Sequence, residues 1–194
     1  VKGNDRMREA RIRAIAGLPT GETFNPEALD LAATRLRRTG VFKSATLAEA
    51  DTITAPDLLP VTATVVEENP RRYSFGAEIA SLDGVTLSGS WMHRNLLGGA
   101  ERLKLYGEIA NLGAQSSGTD YTLGVTLDRP ATFTPDTTVG IIAELSHIDD
   151  IDYTADTATF GLTATQIFST ELTARTALTY DFSKGRDTVS DFNF

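Results

Sequence analysis

The sequence predicts a small α+β domain followed by an antiparallel all-β meander. Three observations carry this. Up to about residue 72 the chain shows helix caps, helix stops and charges of both signs. From Tyr73 onward it alternates apolar and polar residues, segment after segment, and is rich in Gly, Ser and Thr. The stretch 67–98 joins these two textures and holds the turn-like Leu82-Asp83-Gly84. We therefore divide the chain into residues 1–70 and residues 73–194. The chain begins at Val1 without a leader segment, which reads as a piece cut from a longer protein.

Composition narrows the function. Cysteine is absent, which removes disulfide and thiolate chemistry. The net charge is −8, unevenly spread: residues 1–72 hold 11 Lys and Arg against 10 Asp and Glu, and residues 73–194 hold 7 against 16. An acidic second half argues against nucleic-acid binding, which needs clustered cations. No run of about 18 apolar residues is present, so a transmembrane helix is not expected. A membrane β-strand needs only about 9–11 residues, half of them polar, and stays available.

In the first domain, Val1-Lys2-Gly3 reads as the tail of a strand. Asn4 or Asp5 is placed to cap a helix whose apolar face is Met7, Ile12, Ile15 and Ala16. Gly17 and Pro19 stop it. Asn25 caps a second helix, with Pro26 at its first position, where no N–H is needed. Leu29, Ala32, Ala33 and Leu36 form its apolar stripe. Arg35, Arg37 and Arg38 suit the negative end of the helix dipole, and Gly40 ends it. Residues 42–50 read as a strand, with a bulge or the strand's end near Ala48 to Ala50. Residues 51–60 form a loop and residues 61–66 a second strand. Two helices on one face of such a sheet enclose a single thin core.

The run Ile15, Gly17-Leu18, Gly21, Phe24, then Leu36, Gly40-Val41-Phe42, then residues 61–67 is similar to a POTRA domain. Leu36 followed by Gly40-Val41-Phe42 is its most telling part. Gly40 ends the helix and Phe42 drops into the core as the strand starts. The resemblance implies a periplasmic module that precedes a barrel.

The second segment divides into about seven strands of roughly nine to eleven residues. Tyr73, Phe75, Ala77 and Ile79 oppose Ser74, Gly76, Glu78 and Ala80, and the pattern repeats through Tyr180 and Phe182. Residues 82–84, 111–119, 147–152 and 183–190 form one set of connections. Residues 94–101, 128–136 and 166–170 form the other, which gives a simple meander. Periodicity alone fits a soluble barrel, apolar face inward, as well as a membrane barrel, apolar face outward. Tyr73 and Trp91 suit an interfacial aromatic girdle or an ordinary core.

Arg94-Asn95-Leu96-Leu97-Gly98, and Asp128-Arg129-Pro130 with Phe133, resemble the start of the barrel in the BamA/TamA family of assembly factors. The lone POTRA-like unit beside the barrel start favours a TamA-like member. The resemblance implies an outer-membrane protein with its POTRA part in the periplasm of a Gram-negative bacterium. The meander is then the N-terminal part of a transmembrane β-barrel.

No catalytic or cofactor chemistry is expected. Ser146, His147 and Asp149 are sequence neighbours, but a triad needs spatial ones. Asp149, Asp150, Asp152 and Asp156 lack the glycine turn and distal glutamate of an EF-hand loop. Gly98-Gly99 has no following helix to cradle a phosphate.

The expected function is insertion of outer-membrane proteins by strand pairing, since backbone groups cannot stay unpaired in lipid. By resemblance, residues 73–81 form the gate strand, with Tyr73, Phe75, Gly76, Ala77 and Ile79 in it. Pro70, Arg71 and Arg72 form the hinge. The expected partners are unfolded outer-membrane clients, the lipid bilayer and a periplasm-spanning protein. Self-association through open strand edges is expected of the chain alone. A two-partner secretion translocator and a soluble β-rich binding module are the alternatives.

Overall fold

The computed structural model describes residues 1–54, 56–115 and 117–187. Two helices come first, α1 (Glu9–Ala16) and α2 (Pro26–Arg38), then β1 (Phe42–Glu49) and β2 (Val61–Glu67). Seven strands follow in one sheet: β3 (Arg71–Ala80), β4 (Gly84–His93), β5 (Arg102–Leu112), β6 (Asp120–Arg129), β7 (Thr137–Asp149), β8 (Tyr153–Ile167) and β9 (Thr173–Asp187).

The helical caps divide into one agreement and one correction. Asn25 caps α2 by accepting from the Glu27 N–H at 2.9 Å, and Pro26 opens the helix. Neither Asn4 nor Asp5 caps α1, which starts at Glu9 with Arg8 as its N-cap. The backbone ahead of it is held instead by Glu67. One carboxylate oxygen accepts from the N–H of Arg6 at 3.0 Å and of Met7 at 2.8 Å. A carboxylate from β2 thus fixes the chain entering α1, although among the described residues no side chain caps the helix itself. Gly17 closes α1 in the left-handed region, φ 58°.

β1 and β2 pair antiparallel. β1 ends at Glu49, within the stretch expected to hold a bulge or the strand's end, and its one register shift lies at the other end, between Phe42 and Ser44. There Phe42 turns into the core while the chain leaves α2. On the far edge of β2, Lys2 makes a single parallel bridge: its N–H donates to Ala63 and its carbonyl accepts from Val65. The core joins Met7, Ile12, Ile15, Ala32, Leu36, Val41, Phe42, Ala45 and Val65. One member, Ala100, comes from the β4–β5 connection, so the second segment helps close the first domain's core.

The seven-stranded sheet runs β3-β4-β5-β6-β7-β8-β9, every pair antiparallel and consecutive. β3 to β6 have the expected length, but β7 spans 13 residues and β8 and β9 span 15 each. The connection expected at residues 183–190 is corrected. Residues 183–187 continue β9 and pair with residues 153–157, while residues 188–190 lie outside the described residues. The chain holds extended there because β8 supplies backbone partners as far as Tyr153.

The sheet has no apolar core of its own. Among the described residues, every buried hydrophobic side chain apart from Ala100 lies between residues 7 and 65. Phe75 is 86% exposed, Ile79 83% and Leu178 73%. The opposite face carries cross-strand polar rows. Ser90 faces Tyr106, which faces Gly124, which faces Glu144. The Tyr106 hydroxyl donates to Glu144 at 2.5 Å, reaching over Gly124. A Cβ at Gly124 would sit 2.7 Å from Tyr106 Cε1, so only glycine leaves the ring room.

Candidate functional site

Two features of this architecture can act: the outer edge of β3, and the joint that holds the helical domain against the same end of the sheet. β3 is terminal in the sheet and pairs with β4 alone, from Arg71 opposite His93 to Ala80 opposite Gly84. Among the described residues its other edge has no strand partner. Such an edge presents a row of unpaired N–H and C=O groups, a template for another strand. Tyr73, Phe75, Ala77 and Ile79 point to one face and are exposed; Gly76 lies on the other, opposite Ser88. Tyr73 pairs across the strands with Trp91.

The segment from β2 to β3 is short and tied at both ends. The Glu68 N–H donates to Val41 at 2.7 Å and the Arg94 N–H to Pro70 at 2.8 Å. The Arg94 guanidinium adds a bond to the Asn69 carbonyl at 3.1 Å. Arg71 and Arg72 already belong to β3, opposite His93 and Met92. Of the three residues read as a hinge, only Pro70 lies between strands.

The joint is built by two connections. In the first, residues 94–101, the Asn95 side chain accepts from the Ala100 N–H at 2.9 Å and the Leu96 N–H donates to Glu101 at 2.9 Å. The Glu101 carboxylate accepts from the Gly99 N–H at 2.8 Å. Burial alone pushes the Glu101 pKa up, but the backbone N–H groups around it outweigh this and hold it below the usual range. This folded loop presents the Gly98 carbonyl to the Arg8 N–H at 2.9 Å, at the start of α1. Gly98 has φ 80°, and a Cβ there would lie 3.3 Å from the Arg6 carbonyl. That accounts for Asn95 and Gly98 in the motif: one folds the loop, the other lets it touch α1.

The second connection, between β6 and β7, meets α1 and α2. The Arg11 guanidinium donates to the carbonyls of Pro130 at 2.7 Å and Ala131 at 3.3 Å, and to Gly99 of the first loop. Asp136 accepts from Arg35 through both carboxylate oxygens and from Arg38 at 2.8 Å. Arg35 and Asp136 are both largely shielded from solvent. The bond from Arg35 is the main reason the Asp136 pKa falls below its usual value, and Arg38 adds to it. Ala100, Ala131 and Phe133 all have positive φ, and all lie in these two loops. Non-glycine residues rarely adopt that region, so the joint holds the loops in costly conformations.

Sequence reasoning placed Leu36, Val41 and Phe42 in the core of the first domain, where the structure also puts them; Gly40 follows α2 with φ 68°. It missed Arg11, Arg35, Arg38 and Asp136 as a set. The available signal was the i, i+3 spacing of Arg35 and Arg38, which share a helix face. The partner lies about a hundred residues away, beyond any local pattern.

The catalytic reading does not assemble. Ser146 and His147 are successive in β7 and so face opposite sides of the sheet. His147 pairs with Asp156 at 2.6 Å. Among the described residues no cluster of three or more His, Asp or Glu is arranged to hold a metal ion.

Residues 1–68 match the family model described as POTRA: Surface antigen variable number repeat. Among solved structures, the chain is similar to BamA from Haemophilus ducreyi lacking POTRA domains 1–3. The TM-score is 0.71 at 21% identity, covering 98% of this chain and 36% of that one. The chain thus spans about a third of that structure's length. No curated protein matches it. The fold is therefore that of a POTRA domain followed by an antiparallel meander matching part of the BamA barrel.

Proposed function

We propose that this chain is the POTRA-to-barrel joint and first strands of an outer-membrane protein assembly factor. The observation that carries this is the inverted amphipathicity of the seven-stranded sheet. Its large apolar side chains are exposed and its polar face holds the hydrogen-bonded rows. A soluble barrel would bury the first set. A lipid-facing sheet exposes it and turns small and charged residues to a water-lined interior. The POTRA domain then stands in the periplasm and β3 to β9 cross the outer membrane.

In this reading the free edge of β3 is the gate. A client strand reaching the membrane must pair its backbone groups, and β3 offers partners along Arg71–Ala80. Gly76 leaves a thin point in that strand. The reading rests on strand geometry and calls for no cofactor. Its partners are unfolded outer-membrane clients, the surrounding lipid and a periplasm-spanning protein. Within the BamA/TamA group we favour a TamA-like member, on the lone POTRA-like unit beside the barrel start; the number of POTRA units in the whole protein decides that point.

The test is a disulfide between F75C and a cysteine on the last strand of the full-length barrel. Client insertion into vesicles is expected to stop under oxidising conditions and to return on reduction. Insertion at the unlocked rate while the bond is closed would sink the gate.

A further inference from the structure

We propose that the cavity between α2 and the polar face of the sheet is a binding site for carboxylate side chains of an extended polypeptide. This rests on the assembly reading, which supplies the polypeptide, and adds a recognition chemistry to it. The cavity is about 460 Å3 and is lined by Arg35 and Arg38 from α2 and by Arg102 and Arg175 from the sheet. Two cross-strand rows build its floor. Arg102 faces Asp128, which faces Gly140, which faces Thr163. In the next row Thr138 faces Thr165, which faces Arg175.

Gly140 makes the room. A Cβ there would press on Asp128 and approach Thr163 Oγ1 to 2.7 Å. The charge balance is cationic in a chain whose net charge is −8. Four guanidinium groups meet two carboxylates, Asp128 and Asp136. Asp136 is taken up by Arg35 and Arg38. Asp128 stands 4.0 Å from Arg102 Nε, outside hydrogen-bond range. That Nε is buried without a hydrogen-bond partner. Arg175 has neither hydrogen-bond nor ion-pair partner among the described residues. Two further carboxylates of this face, Glu144 and Asp181, are bonded to Tyr106 and Thr159 further along the strands.

Guanidinium N–H groups left without an acceptor, as on Arg102 and Arg175, select oxyanions beside hydroxyls. Three features favour carboxylates on a chain over a small ion or a lipid phosphate. The volume far exceeds one oxyanion. Pro130, Pro135 and Ile167 add apolar wall that suits the stem of a side chain. The site lies on the polar face, on the side of the sheet turned away from its apolar surface.

Full-length protein folded in detergent micelles is titrated, at low salt, with a fluorescent extended peptide carrying two glutamates. The same peptide with two glutamines is the control. The glutamate peptide is expected to bind about tenfold or more tightly, the range of a charge-assisted hydrogen bond. The preference should collapse in R102Q/R175Q, recover in part in R102K/R175K, and weaken in R175Q alone, which keeps Arg102 beside Asp128. Heat-modifiable mobility verifies that each variant is folded, and R175Q carries the test if the double variant is not.

Equal affinity for the two peptides, or a preference untouched by R175Q and R102Q/R175Q, overturns the proposal. So does competition by inorganic phosphate or by anionic vesicles without any glutamate preference, which marks a small-ion or lipid site. Client insertion into vesicles is scored in parallel. Normal insertion without the preference overturns this site alone. The preference without insertion overturns the assembly reading and leaves carboxylate binding standing.

Discussion

Among the described residues, Asp136 is the single side chain through which α2 is tied to the sheet by charge, since it serves both Arg35 and Arg38. Replacing it leaves the shielded Arg35 guanidinium, and the more exposed Arg38, without a counter-charge. D136N should weaken docking by about 2 kcal/mol, seen as a broadened distance distribution between spin labels on α2 and β3. An unchanged distribution would show that Arg11 and the loop carbonyls suffice. The pH dependence follows from the same bonds. The Asp136 carboxyl is held below its usual value by its bonds to Arg35 and Arg38. A depressed carboxyl stabilises the docked state fully above its undocked value, and the gain is lost as pH falls through the docked one. Docking should be constant from neutrality to about pH 5 and loosen below about pH 4. Loosening centred near pH 6 would point to another group. In the first domain, Leu36 is fully buried, and L36A should cost about 2–5 kcal/mol in urea unfolding.

At the scale of the element, the strands differ in what holds them. β5, β6 and β7 are locked by the polar row in which Tyr106 crosses Gly124 to reach Glu144. A valine at Gly124 must push the ring off that carboxylate. G124V is expected to destabilise the refolded barrel by about 1–3 kcal/mol, read from the urea midpoint in vesicles. A midpoint equal to wild type would mean that the ring is not held there. β3 has no comparable lock: its side chains are almost wholly exposed and its backbone is paired on one side only. An element held by one neighbour opens most readily, and the proposed gate role would draw on this.

At the scale of the molecule, two chemistries meet. The first domain has a conventional core; the sheet has an apolar surface and two terminal strands, β3 and β9. In water these surfaces seek partners. The 194-residue chain should therefore associate with rising concentration and disperse in detergent. Sedimentation at several concentrations checks this; a detergent-free monomer at tens of micromolar would contradict an open amphipathic sheet. The two parts are also more tightly joined than a hinge suggests. Ala100 completes the first domain's core, and α1 and α2 both grip the loops of the sheet.

Local chemistry made much of this legible from the residues alone. Asn25-Pro26 announces the start of α2, Leu36 and Phe42 its core face, and the alternation from Tyr73 to Phe182 the strands. Caps, stops and two-residue periods are set by neighbours in the chain, so the chain displays them. The start of α1 was hidden because no side chain among the described residues caps it, and the chain ahead of it is held by Glu67, some sixty residues away. The end of β9 was hidden because β8 extends it. Alternation cannot say which face meets water, since its period is the same either way. Only the tertiary structure decided that the apolar face lies open, that Asp136 meets Arg35 and Arg38, and that Gly140 opens a cavity among four arginines. Each of these depends on side chains brought together across long stretches of chain, and no local pattern encodes such a meeting.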